Sequence, residues 1–269
     1  MSTLLLYHVD AFADRAFSGN PAAVVPLAEW LDDDVLTHIA AENNLSETAF
    51  FIKQSGRFHI RWFTSVREVD LCGHATLATA FVITRFLDRS ANELVFDSAS
   101  GELRVRKAGE KLELDFPARP PQPMDEALAK RVEKALGQTP VWCGQTRNAN
   151  PDSDKLLAVF DSAASVKTLA PDSAALVELP GQGVIATARS EECDFVSRYF
   201  VPKLGIPEDP VTGSAHCTLI PYWAEALGKR EFFARQVSAR GGELWCRLEG
   251  ERVRIGGHCA LYLEGRITI

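Results

Sequence analysis

The sequence predicts an α+β fold of two pseudo-symmetric halves, each a curved sheet wrapped around its own central helix. Three observations predict it. The first is an internal echo. FHIRWF (58–63) returns as FVSRYF (195–200), CGHATLATAFVI (72–83) as TGSAHCTLIPYW (212–223), and GELRVRKAGEKLELDF (101–116) as GELWCRLEGERVRIGG (242–257), each about 140 residues further on. Three matches in one order, occurring only twice, describe two similar domains rather than a solenoid. The second is PARPPQP (117–123), with four prolines in seven residues, a stiff extended connection that cannot form a helix. It places the boundary so that the halves run 1–118 and 119–269. The third is a pair of helical segments, near 74–87 and 214–227, that are apolar on most sides, as buried helices are.

Each element follows from local pattern. HVDAF, AAVVPL, TAFFIK and FHIRWF read as strands. Residues 32–42 form an amphipathic surface helix that opens on acidic side chains, as helix N-termini prefer. The first buried helix follows, then an alternating hairpin, ELRVR and KLELDF, turning at Gly109. A second surface helix covers 124–136, and RLEGERVRI repeats the hairpin around Gly250. Pro221 is expected to kink the second buried helix or end it early, because proline lacks an N–H and crowds the preceding turn.

The bulk properties exclude several classes. With 269 residues, 46% hydrophobic and 24% charged, the chain is that of a soluble globular protein. A net charge of -7 and no basic stripe argue against nucleic-acid or anionic-membrane binding. The apolar run before His8 is too short for a signal-peptide core or a membrane span, so a cytoplasmic protein is expected. Six cysteines, at 72, 143, 193, 217, 246 and 259, form no C-x-x-C pair and no disulfide framework. The neighbours Cys72/His74, His216/Cys217 and His258/Cys259 lack the spacing of a structural zinc site, so no metal is expected.

The mouths of the two buried helices carry the functional signal. Gly73 and Gly213 let the chain turn tightly there and let a ligand approach first-turn N–H groups that have no partner within the helix. The helix dipole makes that end partly positive, so a carboxylate is the expected visitor. If the halves face one another, Gly73-His74 and Gly213-Ser214 converge on one cleft. The plainer alternative is that both glycines only shape strand-to-helix turns. No G-x-S-x-G, H-E-x-x-H or strand-borne G-x-G-x-x-G occurs, which disfavours a hydrolase elbow, a zincin or a dinucleotide fold.

VDAFADRAFSGNPAAVV (9–25), NLSETAFF (44–51), REVDLCGHATLATA (67–80), SASGEL (98–103) and GIPEDPVTGSAHCTLIPYW (205–223) together resemble the PhzF-like (phenazine biosynthesis-like) isomerase family, related in fold to diaminopimelate epimerase and proline racemase. The resemblance implies two barrel-like, mostly antiparallel domains, an active site between them, a homodimer, and a last strand that returns to the first domain. It also implies that Glu47 is the general acid/base, with His74 and Asp209 as polar catalytic neighbours. Asn20, Gly73, Gly213 and Ser214 are then contacts for a small anionic metabolite. Burial among Leu45, Ala49, Phe50 and Phe51 is expected to raise the Glu47 pKa by penalising its charged form. Structural alternatives stand beside these roles: Glu47 as a solvent-facing strand residue, Asp209 and Asn20 as turn residues before proline, His74 as a first-turn histidine, Ser214 as a cap.

One departure bears on the chemistry. The racemase relatives carry a cysteine at each mouth, because inversion needs one base on each face. Here Cys72 holds the first position and Thr212 the second. A threonine hydroxyl is too weak an acid or base for that exchange. The sequence therefore points to a cofactor-independent proton shift by one carboxylate. An amino-acid-type racemase or epimerase, and a non-catalytic binding or scaffold protein of the same fold, are the rivals.

Overall fold

Alternating burial along Lys111–Pro117, and nearly unbroken burial along Asn20–Pro26, show the two strand types this chain uses: one face packed, or both. The computed structural model describes residues 2–269, and its contacts divide the chain into two units, Met1–Asp115 with Gly256–Ile269, and Phe116–Ile255.

In the first unit, β1 (Thr3–Ala11) and β2 (Asn20–Pro26) are antiparallel. Gly19, between them, has φ +67°, and a Cβ there would lie 2.2 Å from the Ala11 carbonyl oxygen, so only glycine fits. Helix α1 (Asp33–Asn43) starts with Asp33 and Asp34 in its first turn, stops at Asn44 in the left-handed conformation, and buries Leu36, Ile39 and Ala40. Strand β3 (Glu47–Gln54) runs parallel to β2 and antiparallel to β4 (Arg57–Phe63), whose end pairs with β5 (Glu68–Val69). Helix α2 (Gly73–Val82) continues through one π-helical turn, Ile83–Leu87. Strand β6 (Glu93–Ser98) then lies parallel to β4, and β7 (Gly101–Ala108) with β8 (Lys111–Pro117) forms the hairpin. The chain's last strand, Cys259–Thr268, pairs antiparallel with β1.

The second unit opens with the short β9 (Gln122–Pro123) and α3 (Glu126–Leu136), capped by Asp125, whose carboxylate accepts from the Leu128 N–H at 2.9 Å. Next come β10 (Trp142–Gln145), β11 (Lys155–Val159), α4 (Ala163–Thr168), α5 (Ser173–Val177) and β12 (Gly183–Arg189). Then follow β13 (Phe195–Phe200), β14 (Glu208–Asp209), α6 (Gly213–Leu227), β15 (Glu231–Gln236), β16 (Gly242–Glu249) and β17 (Arg252–Gly257). The pairing repeats that of the first unit: β11 parallel to β12, β12 antiparallel to β13, β13 parallel to β15.

Pro221 neither ends nor shortens α6, contrary to the expectation from sequence: the helix runs on to Leu227. The hydrogen bond that proline removes would have gone to the Cys217 carbonyl, and that carbonyl accepts from the Arg119 N–H at 2.8 Å instead. With the freed acceptor satisfied, the main cost of an internal proline is reduced.

Both central helices are buried. Leu77 in α2 and Leu219 in α6 have no exposed surface, and cutting either to alanine would cost about 2–5 kcal/mol. In the second unit Phe195 stacks on Trp223 of α6 at 5.5 Å. Among the described residues no helix is long and apolar enough to cross a membrane.

Candidate active site

The two mouth helices start differently from α3, α4 and α5. Asp125, Ser162 and Asp172 cap α3, α4 and α5 with side-chain oxygens. At α2 and α6 the N-cap residues, Cys72 and Thr212, are extended and make no side-chain cap, and neither first turn holds an acidic residue. Nothing anionic of the helices' own therefore neutralises these N-termini.

At the first mouth the chain assembles a line of three side chains. Glu47 is the first residue of β3, where the Asn43 amide steadies the strand start by donating to the Thr48 hydroxyl at 3.0 Å. His74 stands in the first turn of α2, with Nε2 3.3 Å from Glu47 Oε2 and Nδ1 3.5 Å from Cys72 Sγ. Its imidazole is nearly sealed from solvent, while the Glu47 side chain is 21% exposed although its Oε2 is buried. Burial pushes the His74 pKa down to about 4, opposed by a hydrogen bond to the Pro21 carbonyl, so the ring is neutral near pH 7. Asn20, fully buried, begins β2 immediately before that carbonyl.

Glu47, Cys72 and His74 offer ligand atoms within 4.8 Å of one another. Their order matters more than their closeness. Cys72 Sγ lies nearest Nδ1 and Glu47 Oε2 nearest Nε2. The imidazole thus stands between the thiol and the carboxylate.

At the second mouth Asp209, at the end of β14, accepts from the Thr212 hydroxyl at 2.5 Å. Gln236, at the end of β15 and 1% exposed, bonds to both residues. Gly213 and Ser214 are the first two residues of α6. Sequence reasoning named Asp209, Gly213 and Ser214 but missed Gln236, whose only signal is a polar side chain on the buried register of β15. It also missed Lys155, whose ammonium lies 3.1 Å from Gln182 Oε1 and 5.7 Å from the Tyr199 ring centre, and whose pKa burial lowers. All six cysteines are free, and burial pushes Cys217 up to about 11, which disfavours its thiolate. A surface cavity of about 440 Å³, lined by Thr84, Arg85, Phe86, Arg89 and Lys107, shares no residue with either mouth.

Comparison with known proteins agrees with this fold. A family profile described as "Phenazine biosynthesis-like protein" matches residues 9–265. A Pseudomonas aeruginosa protein named as an uncharacterized isomerase is 52% identical over 266 residues, spanning 99% of each chain. The crystal structure of a PhzF family protein from Enterococcus faecalis superposes with a TM-score of 0.93 at 45% identity, covering 100% of both chains. The fold alone extends to a hydroxyproline epimerase from Agrobacterium vitis, with a TM-score of 0.58 at 11% identity over 98% of this chain and 92% of that one. The chain belongs to the phenazine biosynthesis-like (PhzC/PhzF) family.

Proposed function

We propose that this chain is a cofactor-independent isomerase that moves a proton between two carbons on one face of a small carboxylate-bearing, unsaturated or cyclic metabolite, with Glu47 as the carrier. The observation that carries the reading is the partly exposed Glu47 side chain held 3.3 Å from a buried, neutral histidine at an uncapped helix mouth. Its relatives' designation as isomerases supports it. The Glu47 carboxylate removes a proton from the carbon beside the substrate carboxylate, the electron pair spreads into the adjoining double bond, and the resulting carboxylic acid returns the proton at the far end. Neutral His74 orients Glu47 without cancelling its charge. The first-turn amides of Gly73, His74, Gly213 and Ser214 are assigned to the anion, and Asn20 and Asp209 to polar contacts with the substrate. A two-base racemisation is disfavoured because the Thr212 hydroxyl is already committed to Asp209.

The same reading assigns the protein to the cytoplasm, with a small anion rather than nucleic acid or membrane as its partner. A second copy of the chain is the expected protein partner, and exposed Leu261, Tyr262 and Leu263, consecutive on the last strand, are surface that such a copy would cover.

The test uses 2-cyclohexene-1-carboxylate in deuterated water, followed by proton NMR for conversion to 1-cyclohexene-1-carboxylate. The wild type is expected to convert it while keeping part of the original hydrogen, and Glu47→Gln to be slower by about 10²–10⁴-fold. Turnover by Glu47→Gln at the wild-type rate would remove Glu47 from the mechanism. Complete solvent labelling with inversion at a stereocentre would favour two bases.

A further inference from the structure

The donors and acceptors at the second mouth leave no freedom in how its protons are arranged. The Thr212 N–H can only donate, and it meets Gln236 Oε1 at 2.9 Å. The Asp209 backbone carbonyl can only accept, and it meets Gln236 Nε2 at 2.8 Å. The orientation of the Gln236 amide is thereby fixed by chemistry. Its second N–H points to Thr212 Oγ1 at 3.1 Å, so the threonine oxygen is an acceptor from glutamine and must spend its only hydrogen elsewhere. That hydrogen goes to Asp209 Oδ2, at 2.5 Å.

We propose that Gln236 is a positioning residue: by holding the backbone of Thr212 and Asp209 and donating to the Thr212 hydroxyl, it obliges that hydroxyl to donate to Asp209, which becomes a fixed, ionised acceptor beside the mouth of α6. The proposal rests on the role given above to Asp209 and adds what sets that residue's orientation and charge. The placement suits the task. Gln236 is 1% exposed, and its backbone is anchored on both sides, against Ser197 of β13 and Gly242 of β16. A side chain so enclosed cannot swing away, so its three hydrogen bonds act together. In the racemase pattern the residue at the Thr212 position exchanges a proton with substrate. Here the same position is wired inward, and its hydroxyl serves a neighbouring carboxylate instead.

The experiment is a pH titration of the full-length protein labelled with ¹³C at aspartate carboxyl carbons, the Asp209 signal being assigned by its loss in Asp209→Asn. It compares the wild type with Gln236→Leu, Thr212→Val and Thr212→Ser. Loss of a hydrogen bond to the charged form moves a carboxyl's titration upward, so Gln236→Leu and Thr212→Val are expected to titrate at Asp209 about 0.5–1 pH unit above the wild type. Thr212→Ser, which keeps the hydroxyl, is expected to restore the wild-type midpoint. A general loosening of the fold would not distinguish serine from valine. Should Gln236→Leu fail to fold, Gln236→Met, of similar length and without the amide, takes its place with the same expected upward shift. An Asp209 midpoint that is the same in wild type and Thr212→Val, or in wild type and a folded Gln236→Leu or Gln236→Met, overturns the proposal. Because the titration needs no substrate, it is read independently of the Glu47→Gln result. Loss of the isomerase reading and loss of the positioning role therefore give different signatures.

Discussion

The two units build one ion pair twice and then part company. In the first, Arg61 holds Glu68 through two hydrogen bonds of 2.7 and 2.6 Å; in the second, Arg198 holds Glu208 through two of 2.8 Å. The strands that carry them pair in the same register, Phe63 with Glu68 and Phe200 with Glu208. One residue further along the short strand, Trp62 faces Val69 in the first unit while Tyr199 faces Asp209 in the second. The proposed proton carrier shows the opposite asymmetry. Glu47 pairs with Ala22 at the start of the parallel ladder of β2 and β3, and the corresponding pair in the second unit is Lys155 with Gly183. A Cβ on Gly183 would lie 2.4 Å from the Phe200 carbonyl oxygen and 3.1 Å from the Tyr199 ring, so no acid can stand there. Even the helix mouths share a frame and differ in side chains. Thr76 donates to the Cys72 carbonyl at 2.6 Å, and His216 Nδ1 donates to the Thr212 carbonyl at 2.8 Å. The repeat thus keeps what supports the backbone and changes the side chains at the openings. Each unit carries one mouth carboxylate, at a position where the other has none.

That comparison can be broken in several ways, in order of expected effect. The largest is Glu47→Gln, with the 10²–10⁴-fold loss of turnover stated above; equal activity would make the asymmetry between Glu47 and Gly183 irrelevant to chemistry.

Next is acid. His74 and His216, one in each unit, are both pushed by burial down to about 4. Their folded pKa lies below the unfolded value of 6.5, so the unfolded chain binds more protons between those limits. Stability is therefore full above pH 6.5 and falls as the pH drops toward 4, by about 2 kcal/mol per histidine at pH 5. Urea unfolding at pH 7.5 and pH 5 measures this, and an unchanged midpoint would show that the two rings are not held neutral.

Gly183→Ala comes third. It should lower unfolding free energy by about 1–3 kcal/mol in denaturant titrations, since the new Cβ meets backbone that cannot turn aside. A neutral result would mean the second unit has room for a side chain opposite Lys155.

The smallest effect concerns the shared ion pair. The Glu208 side chain is 18% exposed and Glu68 is 35% exposed. Arg198 also donates to the Leu169 carbonyl at 2.7 Å. Glu208→Gln should cost about 1–2 kcal/mol, and Glu68→Gln less than about 1, because solvent screens the more open pair. Equal losses would deny that difference.

Much of this was legible in the sequence because it is written in short-range pattern. The echo, the proline-rich connection at 117–123, the hairpins and the two apolar helices needed only neighbouring residues to be recognised. The resemblance to the PhzF-like family also singled out Glu47, His74 and Asp209, together with the exchange of a second mouth cysteine for Thr212. Gln236 could not be found this way. It lies 24 residues from Thr212, carries no motif, and matters only because β15 ends beside the α6 mouth. That α6 does not end early at Pro221 was hidden for the same reason: the Arg119 N–H, which satisfies the freed carbonyl, arrives from a distant segment.

The sequence by itself determined that there are two related units, where their buried helices lie, and which residue types stand at each opening. Periodicity, proline and glycine act through the local backbone, and they act the same way in any fold. Only the tertiary structure decided which of those residues meet: Glu47 beside His74, and Asp209 accepting from Thr212 under the hold of Gln236. Hydrogen bonds need partners within about 3 Å and in line, and strand register, which no local pattern encodes, is what brings such partners together.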